Sequence, residues 1–219
     1  MMLSACSMKE ERITERERMV HNQIERRGIR EPSILDAMRI IPRHNFVPHE
    51  WQALAYDDNP LPIGFEQTIS QPFIVAYMTR MLGVNKSSTI LEIGTGCGYQ
   101  TAVLSVLAKE VYSIEIISGL CTLAKNNLNQ QFYDNIHLKC GDGYEGWPKA
   151  APFDGIIVTA APGHIPGPLK EQLAIGGRLV IPVGKVNQEL IVITRTPGGF
   201  QEKKDIGVRF VPMTGQAEH

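Results

Sequence analysis

The chain has 219 residues, a formal net charge of -1, 43% apolar and 21% charged residues, and four cysteines. At roughly 100–200 residues per domain this length allows one or two domains, and the low, balanced charge excludes a disordered chain. Near-neutrality also argues against general nucleic-acid binding, which needs a basic footprint, and no run of about 18 apolar residues offers a transmembrane helix.

The four cysteines, Cys6, Cys97, Cys121 and Cys140, stand far apart with no CxxC pair. That spacing argues against a structural zinc site and against a disulfide framework. The expectation is reduced thiols, no metal and a cytoplasmic protein. Leu3–Cys6 has the look of a lipoprotein cleavage box, but no basic segment and apolar core precede it. It reads as an extended or alternative start.

Residues 9–31 carry seven Lys/Arg and six Asp/Glu, with Met19, Val20 and Ile24 at helical spacing. This predicts a solvated helix that stops near Gly28. A second helix follows Pro32, since Pro suits the first helical turn, and buries Ile34, Leu35, Met38 and Ile41. Residues 42–70 hold Pro42, Pro48, Pro60, Pro62 and Gly64 and read as a long loop, of the kind that is usually functional. A helix then runs from about Pro72 to Gly83.

From residue 89 strands and helices alternate. Strands are expected at Thr89–Gly94, Glu110–Glu115, Asn135–Cys140, Asp154–Thr159 and Arg178–Val183. Helices are expected at about 99–108 and 118–129, with a short one from Pro166 to Leu173. Two further strands, about 188–196 and 200–212, flank Pro197–Gly199 as an antiparallel hairpin. The alternation predicts an α/β fold. It is a Rossmann-like, doubly wound, seven-stranded sheet, mostly parallel, with the hairpin at its C-terminal end and an N-terminal helical cover. The expected organisation is a single domain over 1–219. Within it, residues 1–18 are an extension of unknown role, 19–83 the helical cover and substrate loop, and 84–219 the cofactor-binding sheet and hairpin.

The loop after the first of these strands is glycine-rich and lies at a strand's carboxyl end, where open α/β sheets bind ligands. A dinucleotide GxGxxG pattern fails in both registers, because Tyr99 or Thr101 stands at the third glycine position. The observed pattern is Glu92-x-Gly94-x-Gly96-x-Gly98, which resembles the first motif of S-adenosylmethionine-dependent methyltransferases. Glu115 ends the next strand, 21 residues after Gly94, where an acid can accept from both ribose hydroxyls. Asp142 and Gly143 end the third, where an acid can accept from the adenine amine. Each acid alone is also an ordinary strand-end residue; three at consecutive strand ends point to a nucleoside.

The sequence further resembles bacterial protein-L-isoaspartate O-methyltransferases. The matching segments are Pro42–Pro48, Leu61–Gly64, Gln67–Pro72, Leu91–Thr101, Pro152–Ala161 and Val208–Pro212, so the likeness runs from about residue 20 to 213. Gln67–Pro72 and Arg209–Pro212 discriminate; methyltransferases in general share only the middle. The resemblance implies methyl transfer from S-adenosylmethionine to the α-carboxyl of L-isoaspartyl residues in damaged proteins and peptides, followed by succinimide formation and partial return to aspartate. It implies Ser70 as the active-site serine, with Thr68, Ile69, Ser70 and Gln71 near the sulfonium. It places Glu115, Asp142, Gly143 and Thr214 on the cofactor. Phe73–Val75 depart from the animal members, which carry a His after the Thr-Ile-Ser segment, and the chain ends before their C-terminal tail. The implied partner is protein, with neither nucleic acid nor membrane, and the expected state is a monomer.

Elementary chemistry agrees with that implication. An α-carboxylate is ionised at neutral pH, so the methyl acceptor needs no base, and catalysis reduces to in-line placement. Ser70 precedes a predicted helix. It can orient the carboxylate beside the helix's free N–H groups, or simply cap the helix. His44, His49, His164, Trp51, Trp147 and Cys97 read as packing or surface residues. Three rivals remain: a small-molecule methyltransferase, a non-catalytic nucleoside-binding module, and an NAD oxidoreductase, the last disfavoured by the glycine spacing.

Overall fold

The structure, a computed structural model, describes residues 12–129 and 133–218. Cys6 and the Leu3–Cys6 segment lie outside the described residues. The charged N-terminal stretch is helical over 12–19 (α1) and continues as a π turn at Val20–Ile24 and a 3₁₀ turn at Glu25–Arg27. Gly28 then ends it in the left-handed conformation. Met19, Val20 and Ile24 are at most 1% exposed, so the apolar stripe is core while the charges face solvent. Helix α2 spans Pro32–Ile40 and buries Ile34, Leu35 and Met38; Ile41, its C-cap, is buried too.

The segment expected to be a loop holds two 3₁₀ helices, Arg43–Phe46 and His49–Leu54, and then a small hairpin. Its strands are β1, Leu61–Gly64, and β2, Gln67–Ile69, paired antiparallel and only with each other. Helix α3 runs Pro72–Leu82.

The remaining elements are β3 (Thr89–Ile93), α4 (Tyr99–Leu107), β4 (Glu110–Glu115), α5 (Ser118–Asn129), β5 (Ile136–Cys140), β6 (Phe153–Val158), α6 (Gly167–Glu171), β7 (Leu173–Val183), β8 (Gln188–Thr196) and β9 (Gly199–Val208). Seven strands form one sheet in the order β5-β4-β3-β6-β7-β8-β9. The first five in that order are parallel; β8 and β9 join antiparallel. The expected architecture holds. Strand β7 starts five residues earlier than the Arg178 expected, and β9 ends at Val208, leaving Pro212 to a single bridge with Ala161.

Strands buried on both faces read as unbroken apolar runs, and Ile90, Leu91, Ile93, Ile156, Ile157 and Val158 are at most 4% exposed. Helices α3 and α4 pack Met78, Leu82 and Leu104 on one face against Ile90, Val111 and Ile157. The N-terminal helices join a cluster that continues through Phe73, Tyr99 and Leu120. The other face packs Leu91, Ile114 and Ile156 with Leu169 of α6 and with Met213 and Ala217. No helix among the described residues is long and apolar enough to cross a membrane.

One sequence expectation is corrected. Cys121 of α5 and Cys140 at the end of β5 form a disulfide, with Cα atoms 5.8 Å apart. They are 19 residues apart in sequence, and only the packing of α5 on β5 brings them together. Cys97 is a free, buried thiol.

Candidate active site

The chain runs from β3 to β4 on one side and returns to β6 on the other, which makes the carboxyl end of β3 the topological switch point where such sheets bind ligands. A cleft lies there, lined by the glycine loop, the ends of β4 and β6, the β1–β2 hairpin and the 211–214 segment. Gly94 has φ 95°, and a Cβ on it would collide with the Thr159 hydroxyl. That hydroxyl donates to the Gly94 carbonyl at 2.6 Å, and the Thr159 N–H donates to the Ile93 carbonyl at 2.9 Å. Thr159 thereby clamps the loop to β6, which is why glycine stands at Gly94.

Two carboxylates border this cleft. Glu115 accepts the Gly96 N–H at 2.8 Å on one oxygen and the Ile117 N–H at 2.9 Å on the other. Asp142 accepts the Tyr144 N–H and the Gln216 N–H, both at 2.9 Å. Each carboxylate oxygen keeps a further lone pair, so both acids can still accept from hydroxyl or amine donors. A Cβ on Gly143 would come within 2.5 Å of Ile93 Cγ2, so the backbone beside Asp142 lies close against β3. The residues present fit a nucleoside bearing a diol and an exocyclic amine. Gly94, Gly96, Glu115, Asp142, Gly143 and Thr214 all line the cleft, as do Thr68, Ile69 and Ser70.

Three of the expected cofactor residues stand elsewhere. Glu92 is fully buried beneath the loop. Its Oε2 accepts from Thr101 at 2.5 Å and Ser113 at 2.6 Å, Ser113 is in turn bonded to Thr95, and Oε1 has no partner among the described residues. Burial pushes its pKa up to about 7 against the pull of the two hydroxyls, so it is a support of the glycine loop rather than a wall of the cleft. Gly98 is the N-cap of α4, in the left-handed conformation. Gln71 lines a second cleft.

That second cleft lies between the hairpin's exit, the β7–β8 loop and residues 207–211, and includes Val186, Glu189 and Arg209. Five residues line both clefts: Thr68, Ser70, Ile74, Thr159 and Val211. Ser70 is not the helix cap. The N-cap of α3 is Gln71, and no side chain bonds the cap. With Pro72 at the first helical position, one of the orphan N–H groups is already absent. The serine hydroxyl is therefore free to serve a ligand where the clefts meet.

Other polar residues nearby have structural partners. His44 bonds Tyr56 at 2.6 Å, and burial holds it neutral, with its pKa lowered to about 4. His164 bonds Tyr144 at 3.0 Å. Cys97 lines the first cleft, but burial pushes its thiol up to about 11, which leaves it protonated and inert at neutral pH. Sequence reasoning missed Thr159, although it stands at the carboxyl end of β6 as Glu115 does at that of β4. It also missed Ile117 and Met213 of the cleft wall, which carry no motif of their own, and Val211, which stands within the discriminating Arg209–Pro212 segment.

Known proteins resemble this chain in sequence and in fold. A family model described as protein-L-isoaspartate(D-aspartate) O-methyltransferase matches residues 14–218. A protein-L-isoaspartate O-methyltransferase of Picosynechococcus sp. is 53% identical over 202 residues, covering 92% of this chain and 91% of its own. One of Opitutus terrae is 53% identical over 205 residues, covering 93% and 88%. A solved protein-L-isoaspartate O-methyltransferase superimposes with a TM-score of 0.85 at 29% identity, covering 92% of this chain and 67% of that one. A Plasmodium falciparum structure given the same family name, solved with S-adenosyl-L-homocysteine, superimposes at 0.80 and 24% identity, over 91% and 98%, and speaks to the fold. The chain thus belongs to the protein-L-isoaspartate(D-aspartate) O-methyltransferase family.

Proposed function

We propose that the chain transfers a methyl group from S-adenosylmethionine to the α-carboxylate of L-isoaspartyl residues in proteins and peptides, opening their return to aspartate through a succinimide. Family membership supports the activity. The observation that carries it is the junction of two clefts at Ser70. A transferase must hold two ligands with their reacting atoms in contact, and here the cleft that suits a nucleoside shares Ser70 with a second cleft.

S-adenosylmethionine, when bound, supplies an electrophilic methyl on a sulfonium. The chain's own residues then bind and orient. Glu115 accepts from the ribose hydroxyls and Asp142 from the adenine amine. Gly94 and Gly96 allow close backbone approach, with Thr68, Ile69 and Thr214 completing the wall. Ser70 donates to one oxygen of the incoming carboxylate and leaves the other free to attack. No residue need take a proton, because the nucleophile is already ionised. Ile74 and Val211 line the junction, with Ile63 and Ile69 beside it in the first cleft, and these side chains exclude water, which favours a step in which opposite charges cancel.

The same reading treats the helical cover and the sheet as one domain, supported by the buried cluster they share, and takes the enzyme to act as a monomer. A cytoplasmic location belongs to the proposal too. The test is methyl-labelled S-adenosylmethionine with a matched peptide pair, one isoaspartyl and one aspartyl. Label entering only the isoaspartyl peptide is expected; equal labelling of both, or of neither, defeats the reading.

A further inference from the structure

The β1–β2 hairpin delivers Thr68, Ile69 and Ser70 to the junction of the clefts, yet its strands pair only with each other. A lone two-stranded hairpin is marginal in water, so its position depends on what it docks against. Its two-residue tip is Phe65-Glu66, with φ 53° and 58°. A mirror-image turn requires positive φ at both positions and normally uses Asn and Gly. A bulky residue there is strained, and such strain persists only where the surroundings enforce it.

The surroundings are in α5. A Cβ on Gly119, in the first turn of that helix, would collide with three atoms of the Phe65 ring. The ring therefore sits in the notch left by a missing side chain, although Phe65 as a whole is 58% exposed. Glu115, Ile116 and Ile117, just before α5, line the first cleft together with Ile63 and Gln67 of the hairpin. Ile63 also reaches the glycine loop, lying 3.4 Å from where a Cβ on Gly96 would be.

We infer that Phe65 is a positioning residue: its ring, seated on Gly119, holds the hairpin over the cofactor cleft and so sets Thr68–Ser70 in place. The inference rests on the function proposed above and deepens it. It predicts that loss of the contact speeds cofactor release while leaving the fold intact.

Gly119→Ala is the decisive variant. Alanine is the better helix former, and Gly119 has no left-handed φ, so the thermal midpoint should not fall. The added methyl displaces the ring. S-adenosylhomocysteine dissociation should then quicken by roughly three- to tenfold, the scale of one aromatic contact. The KM for S-adenosylmethionine should rise by a similar factor, and more than kcat falls. Phe65→Ala should do the same, and Phe65→Leu should recover most of the loss. In Phe65→Ala, adding Gly119→Ala should change nothing further, because both remove one contact. Wild-type release from Gly119→Ala, additive losses in the double variant, or a fall in kcat at unchanged KM would each overturn the inference. The two readings fail separately. A wild-type chain that does not methylate an isoaspartyl peptide sinks the proposed function, whereas an active wild type with an indifferent Gly119→Ala sinks only the latch.

Discussion

Among the described residues Glu92 has one oxygen without a partner, and its carboxyl is held by the hydroxyls of Thr101 and Ser113. Burial raises its pKa from 4.5 to about 7. The folded chain therefore keeps a proton that the unfolded chain releases between those values. The resulting stability is full below pH 4.5 and is lost as pH rises through about 7, a change on the order of 3 kcal/mol. Gln cannot ionise. Urea titrations of wild type and Glu92→Gln should therefore diverge across that window, with the wild type losing stability relative to the variant; parallel curves would refute the assignment. Ser70 is the complementary case. Its hydroxyl bonds nothing among the described residues, so Ser70→Ala should leave the unfolding free energy within about 0.5 kcal/mol. It should lower kcat/KM on an isoaspartyl peptide by about ten- to hundredfold, the worth of a hydrogen bond to a charged group. At this scale the motif glycines and strand-end acids were legible in the sequence, because strand-end spacing survives folding. The burial of Glu92 was not, because the motif gives its position along the chain and not its depth.

Among the elements, helices and sheet strands were legible within a few residues, since each carries a period or an apolar run. The exceptions have separate causes. Strands β1 and β2 have four and three residues, too short for alternation to register beside Pro62 and Gly64. Strand β7 passes through Gly176 and Gly177, turn-forming residues that hid its first half, and its pairing with β6 shifts register there. The disulfide is the strongest exception, because pairing depends on two elements meeting. Cross-linking residues 19 apart in sequence should stabilise the chain by about 3 kcal/mol in the loop-entropy account. Reductant should accordingly lower the urea midpoint of the oxidised protein, while Cys121→Ser should show no response to reductant. Thiol counts on denatured protein, with and without reductant, should differ by two.

For the molecule as a whole, ligand binding couples to stability. At a hundred times its Kd, S-adenosylhomocysteine should add about 2.7 kcal/mol to the unfolding free energy, and NAD at the same concentration should add nothing. Stabilisation by NAD alone would restore the oxidoreductase alternative and remove the methyltransferase. Sequence by itself determined the α/β class, the order of strands and helices along the chain, the family resemblance, and nine of the residues that line the cofactor cleft. These are properties of period, apolar run and local spacing, and each is written within a few consecutive residues. Only the tertiary structure decided that Thr159 clamps the glycine loop, that Ser70 stands where two clefts meet, that Cys121 reaches Cys140, and that Phe65 rests on Gly119. Each of those joins residues from separate elements, and such contacts exist only after the sheet and its helices have packed.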